Sequence, residues 1–428
     1  MNDQKKKKNQ GSPFAGVVVL LFILLTTVSV YIGGRWMQIV KDTHKSKKTA
    51  RKINKRILLG EVFLNFGILL LLKYYNFTAA SLRSFFGLFH YDASLPLINI
   101  LLPLGISFYT FQAIGYSIDV YRDKYRAEKS LPRFALFISF FPQVIQGPIS
   151  RYDQLGPQLQ EPHDFSYNNL TSGVQLMLWG YFMKIVVADR VAIVVDQIYN
   201  YYGSYEGVIP ILGTVLFAVQ IYCDFNGYTT IAIGSAQVMG FSLMQNFRQP
   251  YLATSVADFW RRWHISLTSW FRDYIYFPLG GSRCAKWKRY RNIMVVFLVS
   301  GLWHGAAWTY VIWGGLNGAM QIVGDMLRPA RQKALKRLGV DTRSFGHRLV
   351  QIFITFVLVD TAWVFFRAPT LRAAVEIIGR SLSAFNPWVL FDGTLYTLGL
   401  NQTDFWVMAA SIGLLIAVDI LHANKIQI

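Results

Sequence analysis

The chain has 428 residues, of which 53% are hydrophobic and only 15% charged, where a soluble protein carries about a quarter charged residues. That excess, gathered into long apolar runs, excludes an ordinary soluble domain and points to a multi-span membrane protein. The formal net charge of +20 sits in short basic runs between apolar segments rather than on one soluble face, a positive-inside pattern that argues against nucleic-acid binding.

Taken in chain order, the clear predicted spans are 14–33, 57–75, 349–367 and 405–422. The first follows a basic head, "MNDQKKKKNQ", and is long for a signal-peptide core, so it is read as an uncleaved span. Longer, interrupted apolar regions cover 95–121, 132–149, 170–200, 207–241 and 292–324. Pro103, Pro142, Pro148 and Pro210 predict kinked or re-entrant pieces within them. Neither an internal repeat nor a low-complexity segment is visible, and the whole of 1–428 reads as one all-α, polytopic transmembrane bundle at the cell membrane.

Basic loops predict orientation. Residues 41–56 hold eight Lys or Arg, and 122–133, 283–291 and 328–348 hold five, five and seven, whereas 76–94 and 150–169 hold one each. The first four are expected in the cytoplasm and the last two outside. Both flanks of 292–324 are then cytoplasmic, so that region must turn back within the membrane or cross as two short, broken pieces. His304 lies about 16 Å along a helix from its start and so falls near mid-depth.

An ionisable ring at that depth is costly and marks a functional site by default. The bland alternative is a neutral imidazole bonded to a backbone carbonyl and holding helices together. Gly301 and Gly305, beside Trp303, allow close backbone approach. A second histidine lies in "DFWRRWHISLTSWFRDYIYFPLGG" (258–281). Read as one amphipathic interfacial helix, this stretch puts Trp260, Trp263, His264, Leu267 and Trp270 on its apolar face. Imidazole titrates nearest neutral pH, so two such rings suit proton transfer. No carboxylate or cysteine accompanies either at ligand spacing, and Cys223 and Cys284 have no paired or metal-type spacing, so no metal is expected. A serine triad lacks its G-x-S-x-G elbow. What remains is general-base catalysis on an acceptor hydroxyl attacking an activated acyl group. Of the other charges near apolar stretches, Glu61, Lys73, Lys184 and Asp360 read as paired or snorkelling. Asp224, in "QIYCDFNGY", reads as a residue supporting the site.

These stretches together resemble the membrane-bound O-acyltransferase family, in its polysaccharide O-acetylating branch. The likeness is carried by "LLKYYNF" (71–77), "LPLGISFYTFQAIGYSIDVYR" (102–122), "FISFFPQVIQGPISRY" (137–152), "QIYCDFNGY" (220–228), "NFRQPYLATSVADFWRRWHISLTSWFRDYIYFPLGGSR" (246–283) and "SGLWHGAAWTYVIWG" (300–314). It spans about residues 57–325, with 326–428 supplying further spans, and its last two stretches are the most specific. The resemblance implies re-entrant and interfacial helices around a central tunnel, with His304 catalytic and His264 its second active-site residue. Trp303, Trp263 and Asp224 would support them. It also implies a donor taken from the cytoplasmic side (acetyl-CoA or an acyl carrier), no tightly bound cofactor, and an exported polysaccharide as acceptor. A separate periplasmic or extracellular acetyltransferase would act as partner. Relatives carry membrane segments ahead of the first span and beyond the last, and where they have "FDFSGYSDMAIG" this chain has Thr230 in place of a common acidic residue. D-alanyl transfer to teichoic acid, which shares both histidine motifs, and a non-enzymatic transporter are the alternative readings.

Overall fold

The computed structural model describes residues 13–91, 95–98 and 105–424, and among them helix is the only regular secondary structure. Hydrocarbon leaves backbone N–H and C=O groups no partner but each other, and a helix pairs them within one segment. The helices are α1 (Pro13–Thr43), α2 (Lys47–Gly87), α3 (Ile106–Tyr121), α4 (Leu131–Ser139), α5 (Tyr167–Tyr181), α6 (Asp189–Asn200) and α7 (Val208–Val238). They continue with α8 (Val256–Arg262), α9 (Ile265–Phe271), α10 (Lys286–His304), α11 (Trp308–Arg337), α12 (Phe345–Arg367), α13 (Leu371–Ser383) and α14 (Gln402–Ala423). Helices α1, α2, α7, α12 and α14 are each long and apolar enough to cross a membrane. The chain forms a helical membrane bundle. Its described part falls into two compact units, the described residues up to 171 with 235–244, and residues 172–234 with 245–424.

In the first unit α1 and α2 are joined by the turn His44–Ser46, and the basic segment 41–56 is mostly helical. Lys and Arg are good helix formers, and Ser46 caps α2 by accepting from the Thr49 N–H. Polar pairs tie the two helices: Asn54 Nδ2 donates to the Met37 carbonyl at 3.0 Å, and Asn65 Nδ2 to Ser29 Oγ at 3.2 Å. Glu61 is buried where Gly33 leaves room for it; any Cβ at position 33 would collide with its carboxylate. Tyr116 of α3 packs on Phe134 and Tyr152 at 4.6 and 5.0 Å between ring centroids. Pro142 and Pro148 lie in the non-helical stretch after α4, as breaks were expected there, while Pro103 and the basic amino-terminal head lie outside the described residues.

The second unit holds both histidines. The region 207–241, expected to break at Pro210, is instead the single helix α7. Pro210 stands in its first turn, where the missing N–H has no helical partner to lose. Helices α5 and α7 touch through glycines: a Cβ on Gly180 would come within 2.8 Å of the Gly227 carbonyl oxygen, and one on Gly234 within 2.6 Å of that of Gly173. Beyond α5 the chain runs through a π-helical stretch, Phe182–Ala188, into α6. Its Lys184 ammonium is held between the Asp189 and Asp224 carboxylates.

Candidate active site

The segment 292–324 turns back on itself, one of the two arrangements expected from its basic flanks. Helix α10 ends at His304, three residues cross over, and α11 returns from Trp308. Glycines bring the arms into backbone contact: a Cβ on Gly301 would stand 2.3 Å from the Tyr310 carbonyl oxygen, and one on Gly314 2.3 Å from that of Phe297. Gly305 has an extended backbone open to any residue, but a Cβ there would enter the Tyr310 ring. The hairpin thus fixes His304 at the tip of its first arm.

The other histidine stands at a break rather than on a helix face. The single amphipathic helix expected over 258–281 is α8 and α9, followed by a π-helical stretch, Arg272–Tyr276. Between α8 and α9 His264 takes φ 44° and ψ 55°, a left-handed conformation that a side chain of its kind adopts at a cost of about 1 kcal/mol. Asn246 holds it there. The N–H of Ile265 donates to the Asn246 backbone carbonyl at 2.9 Å, and the N–H of Ser266 to Asn246 Oδ1 at 3.2 Å. The Arg248 N–H donates to the Arg262 carbonyl at 3.0 Å on the other side of the break. The first amides of α9 are therefore capped from a loop twenty residues away, not by a local side chain.

The two elements meet on Trp303. Its ring centroid lies 5.9 Å from that of His264 and 4.8 Å from that of His304. His264 is 1% exposed and packs edge-on against Phe225 at 4.6 Å. His304 is half-buried, with Trp313 at 5.1 Å and Phe366 at 5.2 Å, both near perpendicular. Burial, and next to it the neighbouring His304, pushes the His264 imidazole well below its ordinary range. It is then neutral at neutral pH, with one ring nitrogen able to donate a hydrogen bond and the other to accept one, according to tautomer.

Around this pair stands an aromatic wall. Trp263, immediately before His264, packs on Phe247 at 5.0 Å and on Trp363 at 5.1 Å, and Trp363 stacks on Trp313 at 5.6 Å. Trp260 Nε1 donates to Asn317 Oδ1 at 3.1 Å, tying α8 to α11. Asp224 is turned toward Lys184, and it is the next residue, Phe225, that touches His264. The structure thus gathers His264, His304, Trp303 and Trp263 in one place and gives Asp224 the task of joining α7 to the π-helical stretch. Sequence reasoning missed Trp313, Trp363, Phe366 and Asn246. Trp363 and Phe366 share a helix face three residues apart, a spacing readable in "AWVFF"; nothing in "NFRQPY" singles out Asn246.

Asn246→Ala is expected to leave the Ser266 amide buried without a partner, at a cost of about 1–3 kcal/mol. It should also free the His264 backbone, so that activity falls by more than the loss of folded protein explains. Asn246→Asp, which keeps the accepting oxygen, should restore the fold. Thermal unfolding and turnover of both purified variants test this, and full turnover by Asn246→Ala would remove the clamp from the account.

Sequence comparison places these elements among known proteins. The model of the MBOAT, membrane-bound O-acyltransferase family matches residues 123–340, which include both histidines. The chain is 38% identical over 338 residues to the probable alginate O-acetylase AlgI of Pseudomonas putida, covering 79% of this chain and 67% of that protein. It is 33% identical over 337 residues to the peptidoglycan O-acetyltransferase of Helicobacter pylori, covering 72% and 62%. To the teichoic acid D-alanyltransferase of Bacillus subtilis it is 32% identical over 237 residues, covering 51% and 58%. The chain thus spans between 58% and 67% of the length of these relatives.

Proposed function

Because the chain belongs to the membrane-bound O-acyltransferase family and is an O-acyltransferase, we propose that it transfers acetyl groups to hydroxyls of an exported cell-surface polysaccharide. The observation that carries this reading is the meeting of two imidazoles on Trp303, one from a hairpin tip and one from a clamped helix break. In the proposed step His304 accepts the proton of the acceptor hydroxyl as its oxygen attacks the acyl carbonyl carbon. The bond from that carbon to the donor then breaks, and the leaving group takes up the proton that His304 had received. His264, neutral and buried one ring away, orients the acceptor or steadies the charge that develops. The aromatic wall keeps bulk water from competing for the acyl group.

In this reading the protein sits in the cytoplasmic membrane, a tunnel joins donor and acceptor sides, and acetyl-CoA or an acyl carrier delivers the acyl group from the cytoplasm. An extracytoplasmic acetyltransferase relays it to the polysaccharide. The AlgI and peptidoglycan O-acetyltransferase relatives support acetate as cargo; the D-alanyltransferase relatives favour D-alanine on teichoic acid as the second reading. Mass spectrometry of surface glycans from cells with and without the protein separates them. Near-complete loss of ester-linked acetate is expected. Loss of ester-linked D-alanine with acetate unchanged would give the second reading the field, and no change in either would overturn acyl transfer to glycans.

A further inference from the structure

The hairpin that carries His304 has unequal arms. Arg289 and Tyr290, near the start of α10, both bond to the Asp325 carboxylate of α11, the tyrosine at 3.1 Å. Helix α10 begins at Lys286, so α11 runs on past its partner through Pro329 to Arg337. An interior proline removes one helical hydrogen bond and bends the axis, and here it stands where the overhang begins. From 326 to 340 every residue except the half-buried Leu335 is exposed. The helical overhang is roughly 14 Å long, and a helix end with its side chains so exposed gains stability chiefly from a surface that its apolar face can lie on.

Its side chains describe that surface. Val323, Met326, Leu327, Ala330 and Ala334 recur at i, i+3, i+4, i+7 and i+11, one face of a helix. The three large ones are 49%, 57% and 58% exposed. Arg331 flanks this stripe on one side and Lys333 and Arg337 on the other, with Arg328 and Lys336 behind, and residues 326–340 contain no Asp or Glu. At the base of the shorter arm the exposed Trp287 carries Lys288 and Arg291 over its ring at 5.6 and 5.7 Å. An exposed tryptophan among cations is the side chain of a headgroup layer. The overhang is also tethered at both ends. The hairpin holds one, and the membrane span α12 begins at Phe345, eight residues beyond Arg337, a reach of at most about 29 Å. An apolar stripe between cations on long stems, kept beside the bilayer, matches an anionic lipid surface better than a soluble acidic protein.

We propose that residues 326–340 lie along the bilayer and bind the phosphate headgroups of anionic phospholipids, anchoring the base of the hairpin. This stands on the membrane fold and does not depend on the acyl-transfer reading. The test reconstitutes the full chain in nanodiscs of phosphatidylcholine alone or mixed with phosphatidylglycerol and follows amide hydrogen exchange. Exchange across 326–340 should slow about tenfold or more in the anionic discs, and added salt should reverse the effect. The triple variant Arg331→Gln, Lys333→Gln, Arg337→Gln should lose the lipid dependence while exchange in α10 and α12 is unchanged. Equal exchange in both discs, or protection by phosphatidylglycerol that survives in the triple variant, overturns the proposal. Protection that arises only on adding a soluble acidic polypeptide such as polyglutamate would give the surface to a protein and overturn it equally.

Discussion

His304→Ala is expected to lower the proposed acyl transfer by about 10²- to 10⁴-fold, the share of a rate that a positioned general base supplies, while the amount of protein in the membrane fraction stays at its normal level. The geometry separates these two effects. His304 is the last residue of α10, so its removal interrupts no helix, and the hairpin is held by backbone contacts at Gly301 and Gly314 rather than by the imidazole. What the substitution takes away is a half-buried ring between Trp303, Trp313 and Phe366. His264→Ala should cost less, about 10²-fold, because that ring touches the site through Trp303 and is assigned orientation rather than proton abstraction. Its cost should also be accompanied by a loss of stability, since it is fully enclosed. Turnover measured on equal amounts of inserted protein decides the matter: a His304→Ala enzyme that works at the normal rate would dismiss the imidazole as base.

The hairpin was legible in the sequence because charge is a global signal. Basic runs on both sides of 292–324 put both ends on one side of the membrane, and the glycines at 301 and 305 marked close approach before any partner was known. The conformation of His264 was not legible. Its apolar face continues without interruption from Trp260 to Trp270, so periodicity reads one helix, and the break is imposed by Asn246, whose two carbonyl oxygens capture the amides of Ile265 and Ser266 from a distant loop. A pattern confined to one segment cannot report a hydrogen bond from another. Pro210 misled for the opposite reason: its meaning depends on where a helix begins, and four residues of displacement separate a break from a favourable first turn. The aromatic wall falls between these cases. Trp313 sits inside a motif that the sequence singled out, but that Trp363 stacks on it follows only from the packing of α12 against the hairpin.

Two glycines side by side in α11 should behave in opposite ways. Gly314→Ala places a methyl group 2.3 Å from the Phe297 carbonyl oxygen, and Gly301→Ala does the same at the Tyr310 carbonyl. Both obstructions are backbone atoms, which cannot rotate aside, so the arms must part. Overpacking of this kind costs about 1–3 kcal/mol, and a displacement of about 1 Å at His304 can cost a further 10²-fold in rate. At the neighbouring Gly315 a Cβ would meet only Leu298 Cδ2, at 3.8 Å, an ordinary contact. Gly315→Ala therefore replaces a poor helix former by a good one without a clash and should gain up to about 1 kcal/mol with turnover unchanged. Unfolding temperature and turnover of the three variants, measured together, test whether the hairpin's precision or merely its presence matters. If Gly314→Ala retains full rate while Gly315→Ala loses it, the contact between the arms is not what holds His304 in place.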